Sequence, residues 1–361
     1  TTSAQTGTAI SVSDTDGVMI EGNAIDAPAG RGILAERSTD VHVTDNAVTD
    51  AGEWAIQLDA TGLASPSADN EVSGNTVTDP GQVSPAGAID LVYSTGVAIG
   101  NTTTGGQHGI RASLADDLVV RGSSVTGPAS NGIYVIDTTG VLVDDNVVRN
   151  AGARGLYLER TGEAYVRNNL VAGCGEWGIQ LNSATGAVAL ANEVAFNTVV
   201  GNGVSVSSTD GGIRFQNALG QIRDNVVANN DSKGVKVDKA VSIHHNDVVG
   251  SAIPYEDQSS DAPTYAANLA VDPLFADANA GDYRLQSASP VIDKGSGLVT
   301  LRDISGATRA DGVPDTGIAD MGRHVGAAAS SGSPPGPDPT PTPTPGPTPT
   351  PRPGEGTVHY V

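Results

Sequence analysis

A small residue followed by an aliphatic one recurs along this chain with a period near 23. The pairs are Ala9-Ile10, Gly32-Ile33, Ala55-Ile56, Ala88-Ile89, Gly109-Ile110, Gly132-Ile133, Gly155-Leu156, Gly178-Ile179, Gly212-Ile213 and Gly234-Val235. Their aliphatic members lie 23, 23, 33, 21, 23, 23, 23, 34 and 22 residues apart. A second column follows about 13 residues into each turn: Asn23, Asn46, Asn75, Asn101, Ser124, Asn146, Asn169, Asn197, Asn225 and Asn246. A unit this short cannot bury its own apolar face, so neighbouring units must stack.

What stacks is extended chain. Glycine makes up 46 of 361 residues and aromatics only 4%, so a core of large side chains is excluded. Glycine, Val, Thr and Asn are weak helix formers, and no helix of ten residues fits between repeats. Within GIYVIDTTGVLVDDNVVRN the alternation is period two, with Ile133 and Val135 inward and Tyr134 and Ile136 outward. Each repeat reads as short strand, turn, short strand, Asn-bearing turn, short strand. The expected fold is all-β: a right-handed, single-stranded parallel β-helix of about ten coils, with rungs ~4.8 Å apart. The Asn column is expected to form an amide ladder. Residues 1–250 form the helix, which begins inside a coil and so reads as N-terminally truncated. Residues 251–328 supply C-terminal coils and a capping segment over the exposed edge. Residues 329–356 read as a disordered Pro-Thr linker, extended as polyproline II. Residues 357–361 would begin a further module.

With these columns in place, residues 7–250 resemble right-handed β-helix proteins of the pectate-lyase-like superfamily, of the bacterial extracellular type. NLAVDPLFADANAGDYRLQSASPVIDKG (268–295) and the later DISGATRADGVPDTGIADMG resemble the closing segment of such proteins. The resemblance implies a secreted, carbohydrate-active protein, and calcium is a common cofactor of the family. Neither the Asp-rich signature of polygalacturonases nor a mannuronan-epimerase motif is present, so no subfamily's catalytic residues carry over.

The net charge is −22, which argues against nucleic-acid partners. Residues 1–100 hold two basic and 14 acidic residues, 101–240 hold 11 and 13, and 241–361 hold six and 14. An anionic ligand therefore suits the middle. Cys174 is alone and reads as a small buried residue. No run of 18 apolar residues exists, so no membrane span is expected. The linker points to an extracellular location and to a further module or cell-surface anchor.

Gly52-Glu53-Trp54-Ala55-Ile56-Gln57-Leu58 recurs 123 residues later as Gly175-Glu176-Trp177-Gly178-Ile179-Gln180-Leu181. These motifs open the two long coils, roughly 24 Å apart at the stacking distance. Insertions in a solenoid map to loops on one face, often the binding face, so the long coils would wall a trough. Trp54 and Trp177 would stack on sugar rings through apolar C–H surface. Along the coils, the outward face of the first strand and its neighbours carries the substrate-binding candidates Gln57, Asp59, Asp90, Asn131, Asp137, Gln180, Arg214 and Lys236.

The sharpest cluster lies midway: His108, Arg111, Tyr134, Arg154, Tyr157 and Glu159, with Asp137 and Arg160 beside them. In a polysaccharide lyase, Arg111 or Arg154 would neutralise a uronate carboxylate, and His108, Tyr134 or Tyr157 would act as base and acid. In a glycoside hydrolase, Asp137 with Glu159, or Asp59 with Glu36, would be paired carboxylates. Arginines beside Asp137 and Glu159 would lower their pKa and argue against either as proton donor. A non-catalytic glycan-binding or adhesive β-helix is the third reading. The histidines show no zinc spacing. The one cofactor the pattern admits is Ca2+, at Asp116-Asp117 or Asp144-Asp145, doublets that serve equally as turn residues.

Overall fold

The computed structural model describes residues 2–3, 7–63, 67–81, 86–183, 192–205 and 209–326. The linker 329–356, the stub 357–361 and parts of the long-coil loops lie outside the described residues. Every repeat becomes one rung with a strand in each of three parallel sheets of eleven strands. The first sheet runs from Ile10–Ser13 to Ile253–Asp257, the second from Asp16–Glu21 to Thr264–Ala266, and the third from Thr2–Ser3 to Asp247–Val249. Pairing is in register from rung to rung, as in Ile110↔Ile133, Ile133↔Leu156 and Leu156↔Ile179. Residues 23 apart in sequence are thus vertical neighbours. The core is stacked aliphatic columns: Ile110, Ile133 and Ile179 from the first sheet, and Val125, Val148, Val171 and Val199 from the third, all fully buried. Each such side chain contributes about 1.5–3 kcal/mol. Cys174 is buried, and burial pushes its thiol up to about 12.

The small residue of each repeat is set by close approach. A Cβ on Gly155 would stand 2.2 Å from Val171 Cγ1 and 2.6 Å from the Gly178 carbonyl oxygen. Ala55 and Ala88 occupy the same column and show that a methyl fits after a small shift. Gly155→Ala is therefore expected to cost about 1–3 kcal/mol, read as a lower urea midpoint with an unchanged slope.

The second and third sheets are joined by a left-handed residue followed by the ladder position. Asp45, Asp145, Asn168 and Asp224 (φ 54°, 54°, 56° and 57°) precede Asn46, Asn146, Asn169 and Asn225, as suits side chains that tolerate this region. The ladder is continuous: the amide of Asn146 donates to Asn169 Oδ1 at 3.0 Å, and that of Asn169 to Asn197 Oδ1 at 3.0 Å. One position differs from expectation. The fifth ladder position is the hydroxyl of Ser123, which accepts from the backbone N–H of Asn101; Ser124 begins the next strand. The ladder also runs one rung further, to Asn268.

The C-terminal segment both extends the helix and covers part of it. Residues 251–268 add the last rung, but the chain then folds back along the side of the helix. The antiparallel pair Phe275–Asp277 and Asp282–Leu285 lies outside the third sheet. Leu285, Val291 and Met321 pack on Val200, Val226 and Ala228. His324 and Asn168 exchange two hydrogen bonds, and Arg323 pairs with Asp145 at 2.6 Å. The segment buries apolar outward columns rather than the terminal edge, where Ile253 and Tyr265 remain 43% and 46% exposed.

Candidate functional site

The first-sheet register brings Gln57, Asp90, Arg111, Tyr134, Tyr157, Gln180, Arg214 and Lys236 into one outward column. Beside it an aromatic row runs up the axis. Trp54 and His108 stack at 6.3 Å and 13°, His108 and Tyr134 at 5.5 Å and 33°, and Tyr134 and Tyr157 at 5.2 Å and 3°. The Arg154 guanidinium sits 4.5 Å over the Tyr157 ring. The rings therefore cover one another's faces and offer their edges and polar atoms outward.

This corrects the expected stacking platform. Trp54 and Trp177 are 2% and 1% exposed. Trp54 lies against Gly87, where a Cβ would meet its ring carbon at 2.7 Å, and Arg214 lies 5.8 Å over the Trp177 ring. Neither indole can receive a sugar. Gln57, Asp90, Asn131 and Gln180 are buried as well, and they position their neighbours. Gln57 donates to Asp90 Oδ2 at 2.8 Å, Arg154 donates to Gln180 Oε1 at 2.6 Å, and Asn131 Oδ1 accepts from the Arg154 backbone N–H at 3.3 Å. The side chains left to meet a ligand are the partly exposed His108, Arg111, Tyr134, Arg154, Tyr157, Glu159, Arg214, Lys236, Asp59 and Asp137.

Most charges on this face are paired. Arg154 meets Glu176 at 2.9 Å, Lys236 meets Glu256 at 3.0 Å, and Arg160 bonds both Asp137 and Glu159 at 2.6 Å. Hydrogen bonds from Arg160 hold the Asp137 carboxyl below the usual range. Asp137 is therefore held ionised and does not suit the proton donor a glycosidase needs. Asp59 accepts from the Thr61 hydroxyl at 2.6 Å. Tyr134 donates its hydroxyl to Glu159 at 2.6 Å; burial and this bond push its pKa up, which removes it as an ionised base. Arg111 touches Asp90 through a single contact of 3.4 Å, which leaves most of its fork free. Among the described residues Arg214 has no carboxylate partner, and the Tyr157 hydroxyl has no hydrogen-bond partner.

Two groups are shifted in opposite directions. Burial, against the pull of Arg111 and Gln57, raises Asp90 to about 6, and burial with Arg111 lowers His108 to about 4. His108 Nδ1 is sealed without a hydrogen-bond partner, which leaves the opposite edge of the ring as the one that could meet a ligand. Asp90 has its folded pKa above the unfolded value, so its contribution is fully present below about 4 and lost as pH rises through about 6. His108 is the reverse: its contribution is present above about 6.5 and lost as pH falls through about 4. Each amounts to about 3 kcal/mol, and they oppose one another. Relative to Asp90→Asn, the wild type is expected to lose about 3 kcal/mol between pH 4 and pH 7, measured as the difference between urea unfolding curves. A difference that stays flat with pH contradicts the assignment.

Three carboxylates of the two acidic doublets are engaged within the protein. Asp144 faces Arg121 at 3.0 Å and Arg167 at 3.8 Å, Asp145 faces Arg323, and Asp116 Oδ1 accepts from Thr139 N–H and hydroxyl. Sequence reasoning missed this side of the molecule. A buried charge network lies under the returning segment, where Arg223 bonds Glu193 at 3.0 Å and Asp224 at 2.6 Å. A group of carboxylates, Asp293, Asp315 and Asp320, also gathers there. The side chain of Asp315 accepts from His324 and from Asp320 N–H, that of Asp320 accepts from Thr308 and from Asp293 N–H, and the group reads as internal scaffolding.

Two family models match parts of the chain. The family model described as right handed beta helix region matches residues 1–105, and that described as periplasmic copper-binding protein (NosD) matches residues 55–219. The chain is a right-handed parallel β-helix protein. Among solved structures it is similar to the periplasmic alginate epimerase AlgG (13% identity, TM-score 0.47, 70% of this chain and 77% of that one). It is similar to the Azotobacter vinelandii mannuronan C-5 epimerase AlgE4 A-module (15%, 0.44, 70% and 87%). It is similar too to the tailspike protein of E. coli bacteriophage HK620 in complex with pentasaccharide (12%, 0.42, 71% and 47%). No curated protein matches. Among the described residues no helix is long and apolar enough to cross a membrane.

Proposed function

We propose that the outward face of the first sheet takes an extended acidic polysaccharide outside the cytoplasm and cleaves it by β-elimination at His108, Arg111 and Tyr157. The observation that carries this reading is the juxtaposition of a neutral imidazole with an arginine fork that its carboxylate only partly occupies. Arg111 receives the uronate carboxylate and stabilises the charge that develops on it. His108 takes the proton from the adjacent ring carbon. The electron pair forms the C4–C5 double bond as the C4–O bond breaks, and the Tyr157 hydroxyl protonates the leaving oxygen. Arg154, bound to Gln180 and Glu176, holds the Tyr157 ring. Arg214, without a carboxylate partner among the described residues, extends the cationic side of the face.

The test is a panel of uronate polymers followed by absorbance of the unsaturated product. Activity is expected on at least one polymer, with an acid limb set by His108 near pH 4 and a plateau above about pH 6. A folded protein silent on the whole panel overturns the elimination. The carboxylates already neutralising Arg154 and Lys236 favour a second reading, a glycan-binding face without catalysis; retention on an immobilised uronate polymer with no product would establish it. The copper-binding name of one matched family finds no support in the donor set. Among the described residues the one convergent group of three metal-ligating side chains is all carboxylate, whereas copper favours imidazole and sulfur.

A further inference from the structure

A second site lies on the other side of the molecule, where the returning C-terminal segment leaves a cavity of about 260 Å3 against the third sheet. Its walls carry three guanidiniums, those of Arg149, Arg284 and Arg323, with Tyr283 between them and Leu170 and Val325 as apolar surface. Arg149 stands at the end of a column that reads Asp26, Thr49, Thr78, Thr104 and Thr126 on the preceding rungs and Ala172 on the next. It is the lone cation of that series. Its guanidinium donates to the Gly281 carbonyl at 2.9 Å and lies 5.7 Å over the Tyr283 ring. Among the described residues it meets no carboxylate, in a chain with 41 acidic and 19 basic residues. Arg284 is held by Asp282 at 2.6 Å and Arg323 by Asp145 at 2.6 Å. Three cations therefore face two carboxylates, and the surplus positive charge sits beside an aromatic ring and an aliphatic floor.

We propose that this cavity binds a small organic carboxylate of the size of one sugar acid. The carboxylate pairs with the unused donors of Arg149, a fork suited to planar anions, and the apolar face of the ring rests on Leu170 and Val325. The volume suits one such ring, and the lining lies on the third sheet and the returning segment, so this site is separate from the first-sheet face and does not depend on the reading given to that face.

The experiment is a titration of the whole protein, followed by the methyl NMR signals of Leu170 and Val325. Four probes are compared: D-glucuronate, D-glucose, acetate and inorganic phosphate. Glucuronate is expected to shift both methyls with a millimolar or tighter Kd, glucose to shift neither, and acetate and phosphate to bind at least tenfold more weakly. Arg149→Ala is expected to weaken glucuronate at least tenfold, as loss of a hydrogen bond to a charged group does; Arg149→Lys keeps the charge without the fork and is expected to recover part of it. Should Arg149→Ala loosen the segment it touches, Arg284→Ala supplies the same test from the opposite wall. Unmoved methyls, equal affinity for phosphate, or wild-type affinity in both alanine variants would overturn the site. Absence of lyase activity would leave the methyl shifts intact.

Discussion

Asn169→Ala is expected to lower the stability of the helix by about 3–6 kcal/mol. The Asn169 amide donates to the carbonyl oxygens of Val143 and Arg167 and to Asn197 Oδ1, and its own oxygen accepts from the backbone and side chain of Asn146. All of this lies in the interior. Truncation removes five bonds and strands buried donors and acceptors on two rungs, each costing about 1–3 kcal/mol when left unpaired. Because the ladder is continuous, the loss falls on both neighbours. Asn23 bonds, among the described residues, Glu21 and Asn46 through its side chain, and Asn23→Ala is expected to cost about 1 kcal/mol. Equilibrium urea unfolding of the two variants measures the contrast. Equal midpoints would show that the amide column does not hold the coils.

His108→Ala is expected to lower kcat/KM on a uronate polymer by about 10²–10⁴-fold, the range a positioned general base supplies, while the protein stays folded. The ring has no hydrogen bond through Nδ1 to lose, so the stability cost is that of its packing against Trp54 and Tyr134, about 1–3 kcal/mol. Tyr157→Phe keeps the stacked ring and removes only the proton, so it separates donation to the leaving group from packing. Arg111→Lys keeps a charge but loses the fork and is expected to raise KM and lower kcat together. A His108→Ala enzyme with wild-type kcat/KM would remove the base from the mechanism.

The rungs were legible because the repeat has a physical cause. Each small residue lets the chain turn against the valine of the third strand, and each Asn satisfies the turn above it, so both recur with the coil length. From those columns followed the vertical adjacency of Arg111, Tyr134 and Tyr157. The hydroxyl rung was misplaced by one residue because Ser123 and Ser124 are chemically alike and adjacent. The depth of Trp54 and Asp90 was not legible: alternation gives the direction of a side chain, not what covers it. Alternation also could not show that Tyr134 and Tyr157, once neighbours, would turn their faces to each other and away from a sugar. The closing segment was legible from its motifs, but its path along the third sheet was not, because its anchors have no period. His324 meets Asn168 across 156 residues, and Arg149 reaches Gly281 across 132.

The most direct measurement is a crystal structure of the inactive His108→Ala protein soaked with a uronate oligosaccharide. Density is expected along the outward face of the first sheet, with a carboxylate on Arg111 and a glycosidic oxygen beside the Tyr157 hydroxyl. An oligosaccharide bound elsewhere on the molecule, with this face left bare, would contradict the account.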